Sequence, residues 1–305
     1  MKELQNKFGK TFFLLIASLF VMSITLQAEE KRLIKEKSFI VNQGETISIE
    51  TSGADVKIKS WDKNEANIMI IGNKRAEDRM NFLIEKSGSE IRVIAKRKMS
   101  SFFGLWGELS LKIEAFVPQN FNVNIETSGG DIEAENLNGK FNLTSSGGDI
   151  KLNNLTGNLI AKTSGGDIEL INSSGSLNAS TSGGNIECKN VSGNIDVNTS
   201  GGDIDIYAKE GKINAVTSGG DIKISLDNNF NGIKANTSGG DIFLVLPSNT
   251  NASAILETFG GEIECEFSNI KTKKLTKQKL IADLNSGGEK LEAKTSGGDI
   301  TLKEK

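Results

Sequence analysis

Thr163-Ser164-Gly165-Gly166-Asp167-Ile168 is the stretch whose reading decides the fold. Variants of it recur along the chain, so that Asp149, Asp167, Asn185, Asp203 and Asp221 stand 18 residues apart. A fixed period of this kind marks one small unit stacked on copies of itself. One period, Thr163 to Ser180, reads TSGGDIELI followed by NSSGSLNAS. In the first half Ile168 and Leu170 flank Glu169; in the second, Leu177 and Ala179 flank Asn178. Alternation over so few residues predicts half-buried strands and not a helix.

The same columns return in successive periods. Ile132, Ile150, Ile186, Ile204, Ile222, Ile242 and Ile263 fill a first inward column. Leu152, Cys188, Ile206, Ile224 and Leu244 fill a second, and Phe141, Leu159, Ile195, Ile213 and Ile233 fill that of the other strand. A two-stranded unit of this size cannot bury its apolar face alone. Stacking copies in register, about 4.8 Å apart, lets each strand pair with its equivalents above and below. The expectation is an all-β, parallel β-solenoid with ~18-residue coils and two short strands per coil. Eight or so coils would make a rod about 40 Å long. Each coil must reverse twice, and the paired glycines (Gly165-Gly166 and equivalents) and single glycines (Gly175 and equivalents) are read as residues that tolerate positive φ there.

Composition agrees. The 305 residues include 33 Gly, two Pro and no His. The formal charge is −3, and it becomes −5 when the three lysines and one glutamate of Met1–Ala28 are removed. This mildly acidic chain has no basic footprint for nucleic acid. Lys2, Lys7 and Lys10 precede a mostly apolar run from Phe12 to Leu26, then Gln27-Ala28 and Glu29-Glu30. That layout predicts a signal peptide over residues 1–28, cleaved near Ala28, and a periplasmic, extracellular or cell-surface mature protein. An uncleaved anchor is the rival, but the run is short of the ~20 apolar residues a span needs. Cys188 and Cys265 fall in one column, four coils or about 19 Å apart, too far for a disulfide. Both read as small buried apolar residues.

Residues 29–126 precede the strict period and are read as irregular N-terminal coils that cap one end, with Thr51-Ser52-Gly53-Ala54-Asp55-Val56 as a degenerate first copy. Ser101 to Trp106 is the most apolar loop-like stretch after residue 28. It reads as a plug over the core, with membrane or partner contact through Phe102, Phe103 and Trp106 as the second reading. Residues 127–305 form the regular solenoid, with extra residues at turns around Asn228-Asn229-Phe230 and Pro247 to Ala252. An insertion at about 267–286 carries Lys271, Lys273, Lys274, Lys277 and Lys279, read as a solvated loop. Thr295 to Ile300 restores a last copy.

The repeated Thr-Ser-Gly-Gly-Asp-Ile copies, Asp55-Val56 with Trp61-Asp62, Val117-Pro118 before Thr127, and the closing Gly287-Gly288 with Thr295 to Ile300 together resemble the bacterial putative-adhesin family of β-strand-repeat proteins, over nearly all of residues 33–302. The resemblance implies a secreted β-solenoid and brings no catalytic residues with it.

The Asp column is the obvious candidate site. Asp149, Asp167, Asp203, Asp221 and Asp241 should point outward beside the Gly-Gly turns and could form a calcium ladder. One acid per coil is few for a hard cation, and Asn185 interrupts the column, so capping of the turn backbone is the preferred role. Thr163, Thr181, Thr199, Thr217 and Thr237 fall inward at a corner, where their hydroxyls should bond backbone or one another. The other outward positions are Glu133, Lys151, Glu169, Glu187, Asp205 and Lys223 on one sheet, and Asn142, Ile160, Asn178, Asp196, Asn214 and Lys234 on the other. The mixed charge of the first reads as an ordinary solvated face; the second, Asn-rich face could hydrogen-bond glycans, but short polar residues also simply stack well. With no His and no nucleophile motif, the chain reads as non-catalytic and without cofactor, a surface-binding or scaffold protein of the envelope. The alternatives are an envelope-stress or assembly factor that binds a protein partner, and a polysaccharide-active enzyme.

Overall fold

The computed structural model describes residues 31–98 and 109–305, and these are almost entirely strand. The predicted signal segment and the apolar stretch Ser101–Trp106 lie outside the described residues. The chain opens with β1 (Arg32–Ile40), β2 (Thr46–Thr51), β3 (Asp55–Trp61), β4 (Glu65–Gly72), a short helix α1 (Lys74–Arg79), β5 (Met80–Ser87), β6 (Glu90–Arg97), β7 (Leu111–Pro118) and β8 (Asn122–Thr127). The periodic part gives β9 (Ile132–Ser145), β10 (Ile150–Lys162), β11 (Ile168–Ile171), β12 (Ser174–Ser180), β13 (Ile186–Asn198), β14 (Ile204–Val216), β15 (Ile222–Leu226), β16 (Phe230–Asn236), β17 (Ile242–Leu246) and β18 (Ala252–Thr258). The chain closes with β19 (Ile263–Glu266), β20 (Ile270–Thr276), β21 (Lys279–Leu284), β22 (Glu289–Thr295) and β23 (Ile300–Glu304).

The periodic strands stack in parallel and in register, as the columns require. Ile150 lies between Ile132 and Ile168, and Ile168 pairs in turn with Ile186. Leu159 pairs with Phe141 and Leu177, and Leu177 with Ile195. All of these side chains are buried. Each fully buried Ile or Leu contributes about 1.5–3 kcal/mol over the exposed state, so the ladders supply the core. The first column, read in space, is Ile113, Val56, Ile132, Ile150, Ile168, Ile186, Ile204, Ile222, Ile242, Ile300, Ile263, eleven layers and not eight. At the strand spacing this is a rod about 48 Å long.

That order differs from the order of the chain at both ends. The coil β2–β3 lies inside, between β8–β9 on one side and β6–β7 on the other. The final coil β22–β23 is likewise inserted between β16–β17 and β18–β19. The path from Cys188 to Cys265 therefore runs through Ile206, Ile224, Leu244 and Leu302, five layers and not four. Both thiols are free. Cys188 is fully buried, and burial pushes its thiol up to about 12, while Cys265 is only half-buried because its layer is the last of its sheet.

Beyond the parallel layers the ends turn antiparallel. At the N-terminal end β4 pairs antiparallel with β7, β1 with β4 and β5 with β6, so β1, β4 and β5 leave the parallel coil pattern that β6 and β7 still follow. At the other end residues 270–284 are the hairpin β20–β21, whose β21 pairs antiparallel with β18. The predicted lysine loop is thus a strand pair that covers the end of one sheet through Leu280, Ala282 and Leu284.

The two corners of each coil work by different physics, and only one of them uses the positive φ expected of its glycines. Gly166 does not have a positive φ; its constraint is contact, because a Cβ there would sit 2.2 Å from the carbonyl oxygen of Gly148 in the layer below. Gly175, at the opposite side, does have positive φ (120°), and its Cβ would meet Gly157 O at 2.2 Å. The bend itself is made by Asn136, Asn154, Asn172 and Asn190, with φ of 61°, 56°, 52° and 58°. Asn tolerates this left-handed region better than other side-chain-bearing residues. Because hydrogen bonding continues through the bend, β9, β10, β13 and β14 are single bent strands where two short ones are expected.

Gly166→Val should therefore lower the melting temperature by roughly 10 °C or more, or prevent folding, while Glu169→Val on the open face shifts it by about 2 °C or less. Thermal unfolding followed by circular dichroism checks this, and equal melting temperatures would contradict the corner contact.

Candidate functional site

The Thr-Ser-Gly-Gly-Asp corner is a stack of hydrogen bonds between layers. The Thr181 hydroxyl donates to Gly166 O at 2.9 Å and accepts from Gly184 N–H at 3.3 Å. Thr163, Thr199, Thr217 and Thr237 donate in the same way to Gly148, Gly184, Gly202 and Gly220. A buried hydroxyl without partners would cost about 1–3 kcal/mol, so these bonds explain why Thr is tolerated inside.

The Asp column stands just outside. Asp167 N–H donates to Asp149 Oδ1 at 2.9 Å, Asn185 N–H to Asp167 Oδ1 at 2.7 Å, and Asp203 N–H to Asn185 Oδ1 at 2.8 Å. Asp221, Asp241 and Asp299 continue the chain of contacts. The structure thus brings Asp149, Asp167, Asp203, Asp221 and Asp241 into one column, with one side-chain oxygen of each turned to the backbone of the next layer. Asn185 fits the column because its amide oxygen accepts the same bond. Among the described residues no group of three or more His, Cys, Asp or Glu side chains is arranged to hold a metal ion.

Two flat faces flank this corner. On the first sheet Lys57 pairs with Glu133 and Glu135, and Lys59 with Glu135, whose carboxyl is lowered by the Lys59 hydrogen bond. Further along, Glu169, Glu187 and Asp205 occupy successive layers. With Asp149, Asp167 and Asp203 they line a shallow groove of about 360 Å³. Burial raises the Asp205 carboxyl, reinforced by the charge of Glu187.

The second sheet carries the Asn-rich row. Asn124, Asn142, Ile160, Asn178, Asp196, Asn214 and Lys234 stand in successive layers. Asn214 Nδ2 donates to Asp196 Oδ1 at 2.9 Å, so part of this row bonds to itself along the rod. At its N-terminal end the row lines a depression of about 500 Å³ with Ser48, Arg92, Asn124 and Asn142.

A second set of asparagines, with no counterpart among the expected site residues, stands at the bend. Asn154 Nδ2 donates to Asn136 Oδ1 at 2.8 Å, and Asn190 Nδ2 to Asn172 Oδ1 at 3.0 Å. The signal was present in the 18-residue spacing of these four asparagines, each followed by an inward Leu137, Leu155, Ser173 or Val191. Phe102, Phe103 and Trp106 lie outside the described residues, as do any contacts they make. Among the described residues no helix is long and apolar enough to cross a membrane.

Comparison with known proteins adds the family. Among solved structures the chain is similar to a putative adhesin from Bacteroides fragilis NCTC 9343, with 12% identity, 91% of this chain and 99% of that one covered, and a TM-score of 0.41. It is also similar to a putative lipid binding protein from Parabacteroides distasonis ATCC 8503, with 13% identity, 89% and 96% covered, and a TM-score of 0.40. A putative adhesin from the same organism gives 13%, 91%, 98% and 0.35. No curated protein sequence matches. The profile of the Toastrack DUF4097 family matches residues 44–303, which spans the coils and the antiparallel strands apart from β1. This chain belongs to the Toastrack DUF4097 family.

Proposed function

We propose that the chain is an exported, non-catalytic β-solenoid that binds or scaffolds at the cell envelope, in the manner of an adhesin. The observation that carries this reading is the Asn-rich face, where Asn124 and Asn142 lie in adjacent layers about 4.8 Å apart and Asn178 and Asn214 follow at every second layer, with Ile160 and Asp196 between them. The amides of Asn142 and Asn178 each offer two donors and an acceptor, which suits the hydroxyls of an extended glycan better than a small molecule, whereas Asn214 Nδ2 donates to Asp196 and its Oδ1 is buried. The depression beside this row is open and lined by polar and apolar residues alike, not an enclosed cleft that would exclude water from a reaction. The absence of His from the chain and the setting of the carboxylates on open faces support a binding role over a polysaccharide-cleaving one. Export rests on the Lys2–Lys10 and Phe12–Leu26 layout before Ala28, and the site of action is then the periplasm or the cell surface.

The envelope-assembly reading, in which the chain grips a protein partner or a membrane through Phe102, Phe103 and Trp106, is the second proposal. Its support is the apolar character of Ser101–Trp106 alone.

Co-sedimentation with insoluble envelope polysaccharides tests the first reading. The triple variant Asn142→Ala, Asn178→Ala, Asn214→Ala should bind at least about tenfold more weakly while keeping its cooperative unfolding. Unchanged binding would remove the Asn row from the account, and release of reducing sugars would overturn the non-catalytic assignment. For the Asp column we propose turn capping. Asp167→Ala should lower the melting temperature by about 2–4 °C, and millimolar calcium should leave that of the unaltered protein in place. A rise of several degrees with calcium would instead make the column a metal ladder.

A further inference from the structure

The two ends of the rod are finished differently. At the N-terminal end the outer carbonyls of β5 are closed by lysines of β1: Lys35 Nζ donates to Phe82 O and Lys37 Nζ to Ile84 O, both at 3.1 Å. At the C-terminal end, among the described residues, no side chain donates to a backbone carbonyl of β19 or β20. Among the described residues the first sheet ends there on β19, which pairs only with β23, and the second on β20, which pairs only with β21. Strands left with one unpaired edge are templates for a further strand.

This end is also incompletely covered. Ile263 and Cys265 are half-exposed, whereas Ile300 and Leu302, one layer inside, are wholly buried. Leu275 on β20 is 67% exposed and Phe259 at the last corner 69% exposed. The register places Ile270, Thr272 and Leu275 on the same side of the hairpin as the buried Leu284, Ala282 and Leu280. An apolar edge therefore continues past the last covered layer.

Charge and shape then name the occupant. The outward side chains at the first edge are Glu262, Glu264 and Glu266; those at the second are Lys271, Lys273 and Lys274. β18 and β19 belong to one coil, and β21 and β20 extend the second sheet beyond β18 while nothing among the described residues extends the first beyond β19, so the second edge stands taller than the first. A second copy turned over about a two-fold axis parallel to the strands presents its tall basic edge to the short acidic one, and the reverse, with both steps filled. The other two-fold arrangement, β20 against β20, faces lysine with lysine and leaves a gap over β19. Like charges directly opposite each other in a sheet are destabilising, which disfavours it.

We propose that the C-terminal end is an isologous homodimer surface, on which β19 of one copy pairs antiparallel with β20 of the other. The product is a continuous rod of twice the length, with Ile263, Cys265 and Leu275 inside it. Both contacts are made by the same patch, so the assembly closes at two copies and does not polymerise.

Sedimentation velocity of the purified protein, under reducing conditions, reads the dimer directly, and small-angle scattering should give a doubled long dimension. Raising the salt concentration should weaken association, since the pairing strands are oppositely charged. Two charge-reversed proteins sharpen the test: Lys271→Glu with Lys274→Glu, and Glu264→Lys with Glu266→Lys. Each alone should dimerise at least about tenfold more weakly, because acid then meets acid or base meets base. Mixed in equal amounts they should regain a dimer, since every edge again faces its opposite. A wild-type protein that stays monomeric, association indifferent to salt, or variants that dimerise alone as tightly as wild type would each overturn the proposal. A mixture that fails to recover, with both variants showing wild-type circular dichroism, would do the same.

Discussion

A carbonyl oxygen of one layer occupies the place where a side chain of the next would begin. At Gly166 the missing Cβ would stand 2.2 Å from Gly148 O, and at Gly184 it would stand 2.1 Å from Gly166 O. No rotamer change relieves such a contact, because backbone faces backbone. The corner therefore admits Gly alone, and its closeness brings Thr and Asp within reach of the layer below. The Thr hydroxyl satisfies a buried glycine carbonyl on the inside, and the Asp carboxylate takes an N–H on the outside. Repetition of one corner fixes the register of every strand between corners, and register puts like apolar side chains on top of one another. The interior of the rod follows from the corner.

Such an arrangement carries a hazard at its ends, where unpaired strand edges invite association. This chain answers by leaving its period. Antiparallel strands β1, β4 and β5 finish the N-terminal end, and the hairpin β20–β21 extends the C-terminal end. The chain then returns to insert its last coil beneath the one before it, so the terminal strand β23 is paired on both sides. A strand paired on both sides in this way is less prone to fray than one on an outer layer. At the C-terminal end the edges bearing Glu264 and Lys271 remain open among the described residues, and their polarity is as patterned as that of the faces.

Much of this was legible in the residues. The 18-residue recurrence of Asp167 and its equivalents gave the coil, and the alternation around Ile168 and Leu177 gave the inward columns, which the register bears out. The inward Thr column and its bonds to backbone were legible too, because a buried hydroxyl has few other choices. The order of the layers was not. Ile300 and Ile263 present the same face and corner, so either fits above Ile242, and nothing local in the sequence distinguishes them. The Asn bend was overlooked because Gly175 and its equivalents looked like sufficient turn residues, whereas Asn154 and Asn172 change the direction. The paired glycines were assigned for the wrong physical reason: their need is for space, which cannot be told from a need for positive φ until the neighbouring layer is known. The faces are least legible of all, since mixed polar residues on a sheet are what solvent alone would select.

The central claim is that layers stack in register through the Gly-Gly corners in an order set by contact and not by position in the chain. Disulfide trapping measures this directly in a background carrying Cys188→Ala and Cys265→Ala. Phe243 pairs with Thr301 in the adjacent layer, about 4.8 Å away, whereas Glu264 is one layer further. The account predicts that Phe243→Cys with Thr301→Cys closes a disulfide under mild oxidation and that Phe243→Cys with Glu264→Cys does not. A cross-link in the second pair with none in the first would restore the order of the chain to the stack and contradict the account.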